Sequence, residues 1–113
     1  MKQHYRYRSI TPRLLEALSE APVVLLQGTR QCGKSTLVQS IIEDRGGRYV
    51  SLDDDDARLF ATTDPQGFVD ALPFNSAIDE IQRAPNLLLA IKRSVDKQRV
   101  PGRFLLTDRK SVL

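Results

Sequence analysis

Gly28-Thr29-Arg30-Gln31-Cys32-Gly33-Lys34-Ser35 meets the pattern G-x-x-x-x-G-K-[ST] at every defined position. The apolar run Val23-Val24-Leu25-Leu26 leads into it as a buried strand, and Ser35 to Ile42 leads out with helical spacing. A strand, a tight loop and a helix N-terminus in that order are what the capture of a polyphosphate needs. With two glycines, a lysine and a hydroxyl all at fixed spacing, average residue usage leaves a chance match in roughly fewer than one chain in a hundred of this length.

The chemistry of such a loop is anion binding. Glycines at 28 and 33 leave backbone conformations open and remove side chains, so successive N–H groups can turn inward around phosphate oxygens. Lys34 would set its ammonium on the β and γ phosphates. The following helix points its positive end at the same oxygens, and the Ser35 hydroxyl is placed to ligate Mg²⁺. Gly28, Thr29, Arg30, Gln31, Cys32, Gly33, Lys34, Ser35 and Thr36 are therefore the expected nucleotide-binding set, with Thr36 already on the helix surface.

Length and composition suit one small domain. The chain has 113 residues, 41% hydrophobic and 27% charged, enough for a single core. Its apolar stretches fall short of the ~20 residues that span a bilayer. Neither a transmembrane helix nor a signal peptide is visible. The single cysteine, Cys32, cannot form an intrachain disulfide, and a reducing, cytoplasmic setting is the expectation. Cys32 fills a free position of the loop. A net charge of +3, from 17 basic and 14 acidic residues, is too mild to mark a nucleic-acid surface. Basic and aromatic residues interleave in Lys2-Gln3-His4-Tyr5-Arg6-Tyr7-Arg8, as on some single-strand-binding surfaces, but a frayed, solvated terminus explains them as well. His4, the only histidine, has no metal-ligating companions.

Further along, Thr11 reads as the N-cap of a helix with Pro12 in its first position and leucines on one face. The helix after the loop ends near Gly46-Gly47. Arg48 to Leu52 alternates like a strand and delivers Asp53-Asp54-Asp55-Asp56, a solvated loop or the acidic first turn of a helix over Asp54–Ala61. Asp64-Pro65 opens a short helix that Pro73 closes. No internal repeat or low-complexity tract occurs.

A second motif is Phe74-Asn75-Ser76-Ala77-Ile78-Asp79-Glu80, a short strand ending in two carboxylates about 45 residues after Lys34. It looks like a Walker B element. A parallel strand there would bring Asp79 near Ser35 and the Mg²⁺ shell, and would aim Glu80 at the water that attacks the γ-phosphate. Pro85 stands near the start of a helix whose leucine face is expected on the sheet, running to Lys97. Arg103 to Thr107 reads as a fourth strand, with Thr107 at its end as a catalytic sensor facing the γ-phosphate. Strands alternating with helices predict a three-layer α/β fold around a parallel sheet of about four strands, with the site at the strand carboxyl ends.

Ile10-Thr11-Pro12-Arg13, the Gln27–Thr36 loop, Ser51-Leu52-Asp53-Asp54, the run Ile78-Asp79-Glu80-Ile81-Gln82-Arg83-Ala84-Pro85 and Gly102–Thr107 together resemble the AAA-type predicted ATPases of bacteria and archaea, which are P-loop NTPases. In that group the ATPase module is usually followed by a C-terminal domain of unknown function. The resemblance runs from about Ile10 to Thr107. It implies ATP rather than GTP, Mg²⁺ as cofactor, and the roles given above for Lys34, Ser35, Asp79 and Glu80. It also divides the chain into a basic tail, 1–9, and an ATPase module, 10–113.

Where such proteins continue past the fourth strand with Gly-Ser, a further strand, a lid and a C-terminal domain, this sequence reads Asp108-Arg109-Lys110-Ser111-Val112-Leu113. The expectation is a module lacking its last strand and lid, with Val23–Gln27 left as an apolar edge. Partners would then be ATP, a second copy of the chain or the missing C-terminal domain, with nucleic acid disfavoured and no membrane. Arg83 and Arg109 stand near the motif ends and read as surface or helix-start charges rather than arginine fingers. Two functions compete: an ATPase, slow for want of a transition-state arginine, and a nucleotide-binding remnant that turns nothing over. A small-molecule kinase is disfavoured, since the acidic pair suits a water nucleophile and no lid excludes water.

Overall fold

The computed structural model describes the backbone of residues 2–28 and 33–109, and side chains within those ranges from residue 10 onward. In chain order the elements are α1 (Lys2–Glu20), β1 (Val23–Gly28), α2 (Lys34–Arg45), β2 (Tyr49–Ser51), α3 (Asp55–Thr63), α4 (Pro65–Asp70), β3 (Ser76–Asp79), a 3₁₀ turn (Ile81–Arg83), α5 (Leu87–Lys97) and β4 (Phe104–Arg109). All strand pairs are parallel, in the order β1-β4-β3-β2. This is the three-layer α/β arrangement that the alternation of strands and helices predicts.

The layers follow from side-chain alternation along the strands. Ala77 and Leu105 face α1 and α2, where they pack with Leu14, Leu18, Val38 and Ile41. Their neighbours Ile78, Phe104 and Leu106 face the opposite way and pack with Phe68, Val69, Leu87 and Ile91 from α4 and α5. β3 is buried along its whole length and β4 from Phe104 to Thr107, as central parallel strands covered on both faces are. β1 lies at one edge of the described sheet, with Leu25 49% exposed.

Local chemistry sets the element ends. The Asp54 carboxylate caps α3 by accepting the Ala57 N–H at 2.9 Å, and Asp64 caps α4 by accepting the Gly67 N–H at 3.1 Å. Gly47 packs so tightly on the chain entering β3 that a Cβ there would lie 1.8 Å from the Asn75 carbonyl oxygen. α2 and β3 are thereby held close.

Two expectations are corrected. α1 begins at Lys2, so residues 2–9, expected to fray, continue the helix, and Thr11 does not cap it; Pro12 lies inside. A proline inside a helix costs a backbone hydrogen bond and crowds the preceding turn, and the inward Leu14 and Leu18 hold the helix on the sheet. The leucine run of α5 also faces differently. Leu87 is in the core, but Leu88 and Leu89 are about half exposed, and the buried stripe is Leu87, Ala90, Ile91, Ser94 and Val95. Helical spacing allows one of three consecutive leucines onto that stripe.

Candidate functional site

At the carboxyl ends of the strands, α2 starts from Gly33, whose φ of 68° is the left-handed conformation that glycine adopts without strain. Among the described residues no side chain caps this helix, and no acid stands in its first turn. Gly33, Lys34, Ser35 and Thr36 line a cleft of about 260 Å³ with Asp53 and Glu80 on the other wall. Helix start and acidic wall thus face one another across a space.

Lys34 is buried, and its Nζ donates to the carbonyls of Gly28 at 3.0 Å and Asp108 at 2.9 Å. Those oxygens terminate β1 and β4, which are paired there in register. The ammonium therefore ties together the ends of two neighbouring strands through ligands that offset only part of its charge.

Asp79 closes β3, flanked by β2 and β4. Its Oδ2 accepts from Ser35 Oγ at 2.8 Å and from the Tyr49 hydroxyl at 2.5 Å, and its Oδ1 accepts from the Thr107 hydroxyl. Burial on its own raises the carboxyl's pKa, but hydrogen bonds from Thr107, Tyr49 and Ser35 and the charge of Lys34 outweigh it and hold Asp79 below the ordinary range. It is an anion by construction. Tyr49 moves the other way: burial, then its bond to Asp79, pushes the phenol up to about 12. Tyr49 is consequently a fixed donor across the neutral range.

The two acids are separated by the backbone rather than by strand alternation alone. Glu80 stands just past β3 with φ 62°, a left-handed conformation unusual outside glycine. Such strain concentrates at functional sites and persists only where surroundings impose it. Here the Glu80 N–H is held by the Thr107 hydroxyl at 2.8 Å, and Gln82 Nε2 donates to Glu80 Oε1 at 2.6 Å. Thr107, expected to face the γ-phosphate as a sensor, is instead fully buried and does not line the cleft; its hydroxyl links the Asp79 carboxylate to the Glu80 N–H from behind. Arg83 pairs with Asp53 at 2.7 Å, and Arg109 lies 3.9 Å from Glu80.

Lys34, Ser35, Asp79 and Glu80 are thus gathered at one end of the sheet, with Thr107 beneath and Thr36 at the rim. The binding roles expected of Thr29, Arg30, Gln31 and Cys32 fall on residues outside the described ones. Sequence reading had passed over Tyr49 and Gln82. Tyr49 stands in the alternating stretch Arg48 to Leu52, and Gln82 in the run after Glu80 that carries the family resemblance, but neither position names its partner. None of the four consecutive aspartates gathers with other ligands: among the described residues no three His, Cys, Asp or Glu side chains cluster so as to hold a metal. No helix among them is long and apolar enough to cross a membrane.

Comparison with known proteins bears on the family and the fold. A family model described as an AAA domain matches residues 20–113. Uncharacterized proteins of Mycobacterium bovis and Mycobacterium tuberculosis are each 38% identical over 102 residues, 88% of this chain and 22% of the relative. The chain thus spans about a fifth of the length of these curated relatives. No solved structure matches.

Proposed function

This chain belongs to the AAA domain family, a family of nucleotide-binding, ATPase-type function, and from that premise we propose that it binds ATP with Mg²⁺ and hydrolyses it slowly. The observation that carries the proposal is the 2.8 Å hydrogen bond from Ser35 Oγ to Asp79 Oδ2, which joins the glycine-lysine loop to an acid from a separate strand. A hydroxyl and a carboxylate side by side are hard oxygen donors suited to Mg²⁺, an ion that takes one or two protein oxygens and completes its shell with phosphate and water. Ser35 and Asp79 would hold it. When bound, the ion would supply positive charge against the negative charge of the nucleotide's phosphates.

The chain's own residues do the rest. Lys34 exchanges backbone carbonyls for phosphate oxygens, a gain because its present ligands carry only partial charge. The start of α2 adds amide donors and its dipole. Asp79, kept ionised, holds the Ser35 hydroxyl in place and would keep a negative charge beside the cation. Glu80, on the opposite wall of the cleft, orients a water for in-line attack and takes its proton. Turnover is slow because, among the described residues, Arg83 and Arg109 are turned toward the carboxylates of Asp53 and Glu80 rather than toward a transferring phosphoryl group. The test is steady-state phosphate release beside binding of a fluorescent ATP analogue. Glu80→Gln should bring release to background with binding kept; release that survives Glu80→Gln, or none from wild type, sinks the hydrolytic reading.

A further inference from the structure

One peptide group at the end of β4 connects the two walls of the cleft. Its carbonyl, that of Asp108, accepts from Lys34 Nζ at 2.9 Å, and its N–H, that of Arg109, donates to Gln82 Oε1 at 3.4 Å. Gln82 passes the connection on by donating from Nε2 to Glu80 Oε1 at 2.6 Å. Only one orientation of the Gln82 amide serves both neighbours, because a flipped amide would set its oxygen against a carboxylate and its NH₂ against an N–H.

Gln82 is otherwise exposed, so packing does not account for it. Glu80, by contrast, is anchored at its backbone by the Thr107 hydroxyl and has a side chain only 4% exposed. Its carboxylate is then fixed at the far end by Gln82, with the Arg109 guanidinium 3.9 Å away. We infer that Gln82 is a positioning residue: it aims the Glu80 carboxylate, and through the Asp108–Arg109 peptide it ties that aim to the position of Lys34. An anion that draws the Lys34 ammonium off the Asp108 carbonyl frees this peptide to shift, and Gln82 carries the shift to Glu80. The inference rests on the reading of Glu80 as the residue that orients water, and it adds a regulation to that site: the water-orienting acid responds to occupation of the phosphate loop.

The test combines kinetics with a readout that needs no turnover. Values of kcat and KM for ATP hydrolysis are compared in wild type, Gln82→Ala and Gln82→Met, with urea midpoints for all three. Loss of one hydrogen bond to an ionised group should lower kcat by roughly tenfold or more, with KM within about twofold and the urea midpoint unchanged. In parallel, the side-chain amide signal of Gln82 is followed by ¹⁵N NMR, identified by its loss in Gln82→Ala. It should move beyond its linewidth in Glu80→Gln, and again when Mg²⁺ and a non-hydrolysable ATP analogue are added to wild type. A kcat within twofold of wild type, a rise in KM that accounts for the whole effect, or an amide signal unmoved in both experiments overturns the inference. Should wild type release no phosphate, the hydrolytic reading fails separately, and the Gln82 link is decided by the NMR arm: a displaced signal upholds it and a fixed one ends it.

Discussion

Thr107→Val isolates what one buried hydroxyl does for the two acids. Valine has the shape of threonine, so no cavity opens and the whole effect is polar. In wild type the Thr107 oxygen accepts the Glu80 N–H at 2.8 Å and its hydrogen goes to Asp79 Oδ1. The substitution leaves a buried amide and a buried carboxylate oxygen each short of a partner, at about 1–3 kcal/mol apiece, or about 2–6 kcal/mol together. Thr107→Ser keeps the hydroxyl and removes one methyl group, for about 1 kcal/mol. The chain has no tryptophan, so urea unfolding is followed by far-UV circular dichroism. With m of about 1.2 kcal/mol per molar urea, the valine variant should unfold about 2 M or more below wild type, and the serine variant less than 1 M below. Equal midpoints for valine and serine would mean that the hydroxyl network is not what holds these residues.

Two pH effects and one association effect follow from the same geometry. Asp79 has a folded pKa below its unfolded one, so its contribution to stability is complete above about pH 4 and disappears as pH falls through the folded value. Asp79→Asn should therefore flatten the acid limb of urea midpoint against pH; an unchanged limb refutes this. Tyr49, raised from 10.0 to about 12, contributes fully below pH 10 and loses that contribution as pH climbs through its folded value. Tyr49→Phe should remove the alkaline decline, and a decline that persists in the variant counts against the assignment. Leu25 is half exposed on β1, at one edge of the described sheet, so Leu25→Lys should lower any concentration-dependent association seen in sedimentation velocity. Association unaltered by the lysine places the contact elsewhere.

Much of this architecture was legible because it depends on short-range signals. Gly33-Lys34-Ser35 states its own conformation, and Asp54 and Asp64 announce helices by the bonds they make three residues on. The alternation of strands with helices disclosed the parallel sheet, and the apolar Phe104-Leu105-Leu106 disclosed the burial of β4. What stayed hidden depends on contacts distant in sequence. Thr11-Pro12 has the chemistry of a helix start, yet packing of Leu14 and Leu18 outweighs it and the helix runs through. Thr107 was expected to point into the cleft, but β4 lies beside β3 in a register that turns its hydroxyl onto Asp79 and Glu80. The role of Tyr49 needs β2 to neighbour β3, and that of Gln82 needs the left-handed turn at Glu80; neither has a local signature.

The pairing of Ser35 with Asp79 is the point on which the account turns, and a titration reaches it directly. Wild type, Lys34→Ala and Asp79→Asn are titrated with a fluorescent ATP analogue, each with Mg²⁺ and with EDTA. Wild type should bind more tightly with Mg²⁺, Lys34→Ala should bind weakly in both, and Asp79→Asn should bind equally with and without the metal. An Asp79→Asn protein that keeps the full Mg²⁺ enhancement of wild type would contradict the account.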